Sequence, residues 1–245
     1  MQNIIKKNVL SLKPSSTLII NETSKKLIAE GKKVYQFGFG QSPFPVPEKI
    51  VNTLKNNAHK KEYLPIQGLP ELREAISKYL IKKTGVNYPK ENILITPGSK
   101  EAMLLMHVAF KGEIILPAPS WVSYEPQAKI GQNKIHWIQT KRENNWFPTG
   151  KEIEKKIKSI RKKKNIILIL NSPNNPSGTV CNNLKDIANV AKKYKIIVLS
   201  DEIYTDLTFN GNYESIAKYY PEFTFVSGGL SKWCGAGGWR LGFFA

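Results

Sequence analysis

The chain has 245 residues, of which 41% are hydrophobic and 23% are charged, so it can bury a core and is not a disordered polymer. Its 37 Lys and Arg residues against 19 Asp and Glu residues give a formal charge of +18. Arg, which makes the bidentate contacts typical of nucleic-acid sites, accounts for only four of the 37. We therefore expect a solvated basic surface and no nucleic-acid partner; the four are Arg73, Arg142, Arg161 and Arg240.

Cysteine, histidine and apolar segments limit the class of protein further. The two cysteines, Cys181 and Cys234, cannot form a disulfide framework, which predicts a reducing compartment. The three histidines have no metal-ligand spacing, so no metal site is expected. The N-terminal residues lack the apolar region of a secretory signal, and no apolar segment approaches the ~18 residues that span a bilayer. We expect a cytoplasmic protein without a membrane partner.

Short β-branched segments alternate with amphipathic segments of helix length after an N-terminal arm rich in Pro and Ser. Continuous apolar strands separated by helices predict an α/β fold, with a mainly parallel sheet covered by helices on both faces. In such sheets ligands bind beyond the carboxyl ends of the strands. The predicted strands are 93–96, 113–116, 134–138, 165–170, 195–199, 223–226 and 241–244. The predicted helices lie near 69–83, 99–110, 121–131, 150–163 and 182–194.

The segment after the first predicted strand reads Pro97-Gly98-Ser99-Lys100. Small residues before a helix leave free N–H groups at the positive end of its dipole, which is typical of an anion site. The alternative is that Ser99 only caps the helix. At the end of another strand, Trp121 could provide a flat surface for a ring, or it could belong to the core.

Three later strand ends also carry polar residues. Asn175 lies in a turn-rich segment, and Asp201 is followed three residues later by Tyr204. Lys232 lies in a glycine-rich loop, where desolvation would free its amine for nucleophilic attack, and Arg240 follows eight residues later. An anion site, an amide, a carboxylate, a phenol and a lysine at one sheet edge favour pyridoxal 5'-phosphate chemistry.

With these motifs the sequence resembles the class I and II aminotransferases of the aspartate aminotransferase-like, fold type I group. The resemblance extends from Leu12 to the last residue. The motifs that carry it are Leu12-Lys13-Pro14-Ser15, Phe39-Gly40-Gln41-Ser42-Pro43-Phe44-Pro45, Tyr63-Leu64-Pro65-Ile66-Gln67-Gly68, Glu71-Leu72-Arg73, Asn174-Asn175-Pro176-Ser177-Gly178, Ser231-Lys232 and Gly238-Trp239-Arg240-Leu241-Gly242.

The resemblance implies a role for each residue that matches these motifs. Lys232 would form the Schiff base with the cofactor and carry a proton during the reaction, while Asp201 would pair with the ring nitrogen. Tyr204 and Asn175 would bind the phenolate oxygen, with Tyr204 counted among the catalytic residues. Trp121 would stack on the ring, and Gly40, Trp121 and Asn175 would contact substrate. The phosphate would be held by Ser99, Lys100, Ser231, Arg240 and Tyr63 of a neighbouring subunit, which implies a homodimer.

The resemblance further implies transfer of an amino group between an amino acid, such as aspartate or a related one, and a 2-oxo acid. Residues 1–45 would form the N-terminal arm and the start of a small domain, and residues 46–245 an incomplete cofactor-binding large domain. The chain ends inside a predicted strand, before the C-terminal stretch that carries the family's carboxylate-binding Arg and most of the small domain. We therefore expect weak or absent transamination by this chain alone.

One departure from the family and three alternatives remain at this point. Gly229 stands where many members carry a serine that binds the phosphate, which predicts a weaker cofactor affinity. The same fold also supports lyases and decarboxylases, because the cofactor performs the bond chemistry. A cofactor-binding fragment without activity is a further alternative. A basic binding protein without catalysis would instead show salt-dependent association with nucleic acid.

Overall fold

The computed structural model describes residues 4–38, 40–160, 165–209, 211 and 213–245. Phe39 of the predicted substrate loop, Arg161 and the end of the predicted helix 150–163 lie outside the described residues.

Seven strands form one sheet in the order β1-β7-β6-β5-β4-β2-β3. Strands β2 to β6 pair in parallel, whereas β7 lies between β1 and β6 and is antiparallel to both. The sheet confirms the predicted mainly parallel α/β fold. The strands are β1 (Leu94–Thr96), β2 (Glu113–Ala118), β3 (Lys134–Gln139), β4 (Ile166–Asn171), β5 (Ile197–Asp201), β6 (Thr224–Gly229) and β7 (Gly242–Phe244).

The helices of the described residues are α1 (Lys7–Leu10), α2 (Ser16–Ala29), α3 (Glu48–Asn57), α4 (Pro70–Thr84), α5 (Ser99–Ala109), α6 (Tyr124–Ile130), α7 (Gly150–Ser159) and α8 (Leu184–Tyr194). Each predicted helix is present. The start of α6 is later than expected, because Trp121 lies in the turn before the helix. Helix α7 begins with a capping box between Thr149 and Glu152, and α4 ends at Gly85 in the left-handed conformation.

Strand β4 shows why helices cover both faces of the sheet. Its side chains alternate, so Ile166, Leu168 and Leu170 pack in a core with α7 and α8. Ile167 and Ile169 pack on the opposite face with α5 and α6. A third cluster lies between α4 and the strands β6 and β7. The continuous apolar segment in the sequence thus reflects burial on both faces.

The N-terminal part of the chain contributes little to this core. Arg73 is the first buried side chain, and the described residues before it are exposed or half-buried. Asn8 attaches α1 to α6 by donating to the carbonyl oxygens of Lys129 and Ile130, at 2.8 and 3.3 Å. The predicted domain boundary between residues 45 and 46 stays a prediction.

Within the described ranges, no helix combines the length and apolar character needed to cross a membrane. The same residues contain no group of three or more His, Cys, Asp or Glu side chains that could bind a metal ion.

Candidate active site

Asp201, the last residue of β5, is buried and receives three hydrogen bonds. The Tyr124 hydroxyl donates to Oδ2 at 2.6 Å. The Ser227 hydroxyl and the Ile203 N–H donate to Oδ1 at 3.0 and 3.3 Å. Burial raises the pKa of Asp201, while the donors and the nearby Lys232 ammonium act in the opposite direction. The carboxylate is therefore fixed in orientation at the carboxyl edge of the sheet.

Asn175 and Tyr204 come from different loops and meet beside this carboxylate. The Asn175 side-chain amide donates to the Tyr204 hydroxyl at 3.0 Å. The loop of Asn175 is held by Asn171 at the end of β4, whose Oδ1 accepts from the Asn175 N–H at 2.8 Å. The Asn171 amide also donates to the Asp201 carbonyl oxygen at 2.9 Å, so β4 and β5 position the pair together.

Lys232 lies in the loop between β6 and β7 and is half-buried. Its Nζ donates to the Gly40 carbonyl oxygen at 3.1 Å and lies 5.5 Å from the centroid of the Tyr204 ring. Burial lowers the pKa of Lys232, although the charge of Asp201 opposes the shift. A smaller fraction of protonated amine makes this lysine a better nucleophile than a solvated one.

The N-terminus of α5 and the Arg240 guanidinium lie side by side, because β7 is adjacent to β1. Gly98 occupies the cap position before α5, so the interpretation of Ser99 as the N-cap is wrong. Arg240 donates to the carbonyl oxygens of Pro97 and Gly237, at 3.0 and 2.7 Å. The first N–H groups of α5, which have no carbonyl partner within the helix, thus lie beside a guanidinium. This arrangement suits an anion.

Trp121 lies between Lys100, at the start of α5, and Tyr124, which binds the Asp201 carboxylate. Its ring packs edge-to-face against Tyr124, with centroids 5.3 Å apart, and the Lys100 ammonium lies 5.3 Å from its centroid. The ring is half-buried, which leaves part of its surface open at the sheet edge.

The structure brings most of the predicted site residues to this one edge. Ser231 is half-buried in the loop that carries Lys232, and Gly40 contacts Lys232 directly. Tyr63 is the exception: its side chain is fully exposed, and it makes no hydrogen bond within the described part of the chain. Its predicted contact with a second subunit stays a prediction.

Sequence reasoning missed three residues that hold the site together, namely Tyr124, Ser227 and Asn171. Each lies in the last three residues of a strand or in the first turn of a helix, where polar residues are common. Their pairing with Asp201 depends on the order of the strands, which spacing along the chain does not reveal. Tyr124 is identified only in the structure, where its buried hydroxyl donates to Asp201.

Known proteins resemble the chain over nearly all of its length. An aspartate aminotransferase of Geobacillus stearothermophilus is 33% identical, and the match covers 98% of this chain and 63% of the relative. An asparagine–oxo-acid transaminase of Streptococcus mutans is 32% identical with the same coverage. A solved structure of the Thermus thermophilus aspartate aminotransferase with maleate superimposes with a TM-score of 0.92 at 28% identity, covering 99% of this chain and 64% of that one.

The chain therefore spans a little under two thirds of the length of these relatives. The family model described as aminotransferase class I and II matches residues 32–245, which include every described site residue discussed above. With this match, the relatives and the common fold, the chain belongs to the class I and II aminotransferases.

Proposed function

We propose that this chain binds pyridoxal 5'-phosphate at the carboxyl edge of its sheet and that the protein transfers an amino group between an amino acid and a 2-oxo acid. The observation that carries the proposal is the approach of Lys232, Asp201 and the Asn175–Tyr204 pair from three separate segments, which lie at the carboxyl ends of β4, β5 and β6. Names of the relatives favour aspartate or a related amino acid as the donor.

The space at Gly98 supports a cofactor phosphate at this edge. A Cβ built on Gly98 would lie 2.0 Å from Arg240 Nη2, so the guanidinium in its present position needs a glycine there. The start of α5 and the Arg240 guanidinium together form what we call the anion cradle. It suits a phosphate group, with Ser99, Lys100, Ser231 and Arg240 as donors. The donor set elsewhere fits as well, since one buried carboxylate, one amide and one phenol match a ring with a basic nitrogen and a phenolate oxygen.

Each residue has a defined task in this proposal. When bound, the cofactor supplies an aldehyde carbon and an electron-withdrawing ring. Lys232 Nζ would provide the amine that holds the cofactor and, once free, would take a proton from the substrate α-carbon and deliver it to the cofactor carbon. Asp201 would stabilise a protonated ring nitrogen through its fixed carboxylate. Trp121 would pack against the ring and exclude water.

The proposal includes a second copy of the chain. Tyr63 is exposed and would reach the phosphate of the partner subunit, as the family resemblance implies. We therefore propose a homodimer in the cytoplasm, with Gly40 near the substrate carboxylate and with Trp121 and Asn175 contacting substrate.

Attachment of the cofactor to Lys232 tests the proposal directly. The purified chain is incubated with pyridoxal phosphate, reduced with borohydride and mapped by peptide mass spectrometry. We expect the label on Lys232, loss of the label in Lys232→Ala, and an unchanged label in Lys218→Ala, a control at an exposed lysine. A label on other lysines only, or none, would contradict the proposal.

The reaction class is decided by adding an amino acid alone to the loaded protein. Conversion to the pyridoxamine form indicates transfer, whereas release of ammonia and a 2-oxo acid indicates a lyase. Weak conversion agrees with the expectation for this chain.

A further inference from the structure

Two buried acids are adjacent at the end of β5, Asp201 at 3% and Glu202 at 6% exposure. Because successive side chains along an extended chain point to opposite faces, Asp201 lies on the side of α6 and Glu202 on the side of α4. The proposed function uses Asp201 alone, so the reason for burying a second carboxyl group beside it needs an explanation.

Glu202 is bound by two hydroxyl groups on a single oxygen. Ser200 and Ser215 donate to Oε1 at 2.8 and 2.5 Å. Ser215 is fixed in turn, since its Oγ accepts from the Ala217 N–H at 3.2 Å.

The charges around Glu202 do not favour its ionisation. The phenols of Tyr79, Tyr88 and Tyr213 lie within electrostatic range, and all three are neutral at physiological pH because burial raises the pKa of each. The remaining charged neighbour is Asp201, which repels a second negative charge. Among the described residues that interact with Glu202, none is a cation.

Lys83 and Asp206 line the same pocket beneath α4, at its rim. They form an ion pair with each other, and the Tyr79 hydroxyl donates to Asp206 at 2.7 Å. The positive charge of Lys83 is thus already compensated.

Asp201 differs from Glu202 in having a cation nearby. Three donors act on both of its oxygens, and the Lys232 ammonium stabilises its charge. Two buried carboxyl groups on consecutive residues titrate as a coupled pair, and the pair holds one charge far more easily than two.

We propose that Glu202 is a positioning residue that retains its proton, so that the single negative charge of this carboxyl pair stays on Asp201. The proposal rests on the proposed function of Asp201. Burial raises the pKa of Glu202 and the charge of Asp201 adds to this, while the hydroxyls of Ser215, Tyr213 and Ser200 act in the opposite direction. The Glu202 N–H also donates to the Ser227 carbonyl oxygen at 3.0 Å, which holds the Ser227 hydroxyl under Asp201.

Infrared difference spectroscopy of the cofactor-free chain at neutral pH tests the protonation state. Subtracting the spectrum of Glu202→Gln from that of the unmodified chain should reveal the carbonyl band of a protonated carboxylic acid. Glu222→Gln, at an exposed acid, should reveal carboxylate bands only. Carboxylate bands from Glu202→Gln would overturn the proposal.

Ser215→Ala provides a second variant, which keeps Glu202 in place. Loss of one hydrogen bond to the carbonyl oxygen should shift the acid band to higher frequency. An unshifted band would assign the proton to another group and overturn the proposal, even if Glu202→Gln failed to fold.

Cofactor binding gives an independent readout. Because glutamine is neutral like the protonated acid, Glu202→Gln should bind pyridoxal phosphate within about twofold of the unmodified chain, with the same pH midpoint of the visible absorption. Asp201→Asn should weaken binding about tenfold or more. A tenfold loss or a shifted midpoint in Glu202→Gln would overturn the proposal.

If the unmodified chain does not bind the cofactor, the proposed function fails, while the infrared result still decides the state of Glu202.

Discussion

The Tyr124–Asp201 hydrogen bond is the shortest of the three that fix the candidate carboxylate, and both groups are buried. The pKa of Tyr124 is well above its usual value, because burial and the charge of Asp201 both disfavour a phenolate. Tyr124 is therefore a permanent donor. Its contribution lies in the orientation of Asp201 rather than in proton transfer.

We predict that Tyr124→Phe costs about 1.5–3 kcal/mol of stability, the range for a hydrogen bond to a buried charged group. Affinity for pyridoxal phosphate should fall roughly tenfold, because Asp201 loses a donor that favours its ionised form. Urea unfolding and a fluorescence titration measure the two effects. The matched control is Tyr194→Phe, whose hydroxyl donates to Glu154 at 2.7 Å near the surface. Equal losses in both variants would refute a specific role for Tyr124.

His107 is a second buried group, with no hydrogen-bond partner for either ring nitrogen in the structure described here. Burial lowers its pKa from 6.5 to about 4. In the unfolded chain this histidine is protonated below pH 6.5, whereas in the folded chain it stays neutral until about pH 4. As the pH is lowered from 6.5 to about 4, the free energy of unfolding should fall by at most about 3 kcal/mol and then level off.

His107→Leu should remove this acid-dependent loss, because leucine binds no proton in either state. Urea midpoints at several pH values across the window measure it. His59→Leu, at an exposed histidine, should keep the slope of the unmodified chain. The same slope in His107→Leu would show that other groups cause it.

At the scale of elements, the start of α5 depends on a contact between residues far apart in sequence. Gly98 has a φ of +86° and lies against the Arg240 guanidinium, and a Cβ on Gly242 would lie 2.2 Å from the Ser99 backbone nitrogen. Two glycines thus allow β7 and Arg240 to approach the helix. Gly229 belongs to the same arrangement, since its Cβ would lie 2.6 Å from the Leu241 carbonyl oxygen. Its lack of a side chain serves strand packing in this chain.

Gly98→Ala should displace Arg240 and weaken pyridoxal phosphate binding about tenfold or more, because the guanidinium loses its place beside the helix N-terminus. Gly85→Ala is the matched control: it also has a positive φ, +74°, but open space around its Cβ. It should cost about 1 kcal/mol of stability and leave binding unchanged. Thermal unfolding measures the stability of both variants, and a titration measures their cofactor affinity. Normal binding by Gly98→Ala would contradict a phosphate site at the start of α5.

At the scale of the whole molecule, several large apolar side chains in the N-terminal third of the chain are exposed. Phe37, Tyr63 and Ile66 are more than nine-tenths exposed. Contiguous exposed apolar side chains commonly mark an interface. Their location agrees with the proposed homodimer, in which Tyr63 would reach a second copy.

Ile66→Asp should shift the monomer–dimer equilibrium toward monomer by about tenfold or more, because it places a charge in an apolar interface. Val108→Asp on α5, also at an exposed apolar residue, is the control and should not change the equilibrium. Sedimentation equilibrium measures both. A monomeric unmodified chain, or equal effects of the two variants, would contradict the proposed interface.

The fold class and the seven strands followed from the sequence, because buried parallel strands are continuous apolar segments. Helices α1 to α3 were missed. None of their side chains is buried, and α2 exposes Leu18, Ile19 and Ile20. The antiparallel insertion of β7 was not predicted either, because strand order depends on contacts between distant segments. In the site, the positions of Asp201 and Lys232 at strand ends identified both residues from the sequence. The contact of Tyr124 with Asp201, 77 residues away, could be seen only in the tertiary structure.

The position of β7 also has a consequence for biosynthesis. Arg240 and Pro97, which together complete the anion cradle, are 143 residues apart. At translation rates of about 5–20 residues per second, on the order of ten seconds separate their synthesis. A nascent polypeptide in which β2 to β6 are already paired would still lack Arg240 and β7, the strand to which β1 pairs. Completion of the proposed phosphate site must therefore wait until β7 has been synthesised.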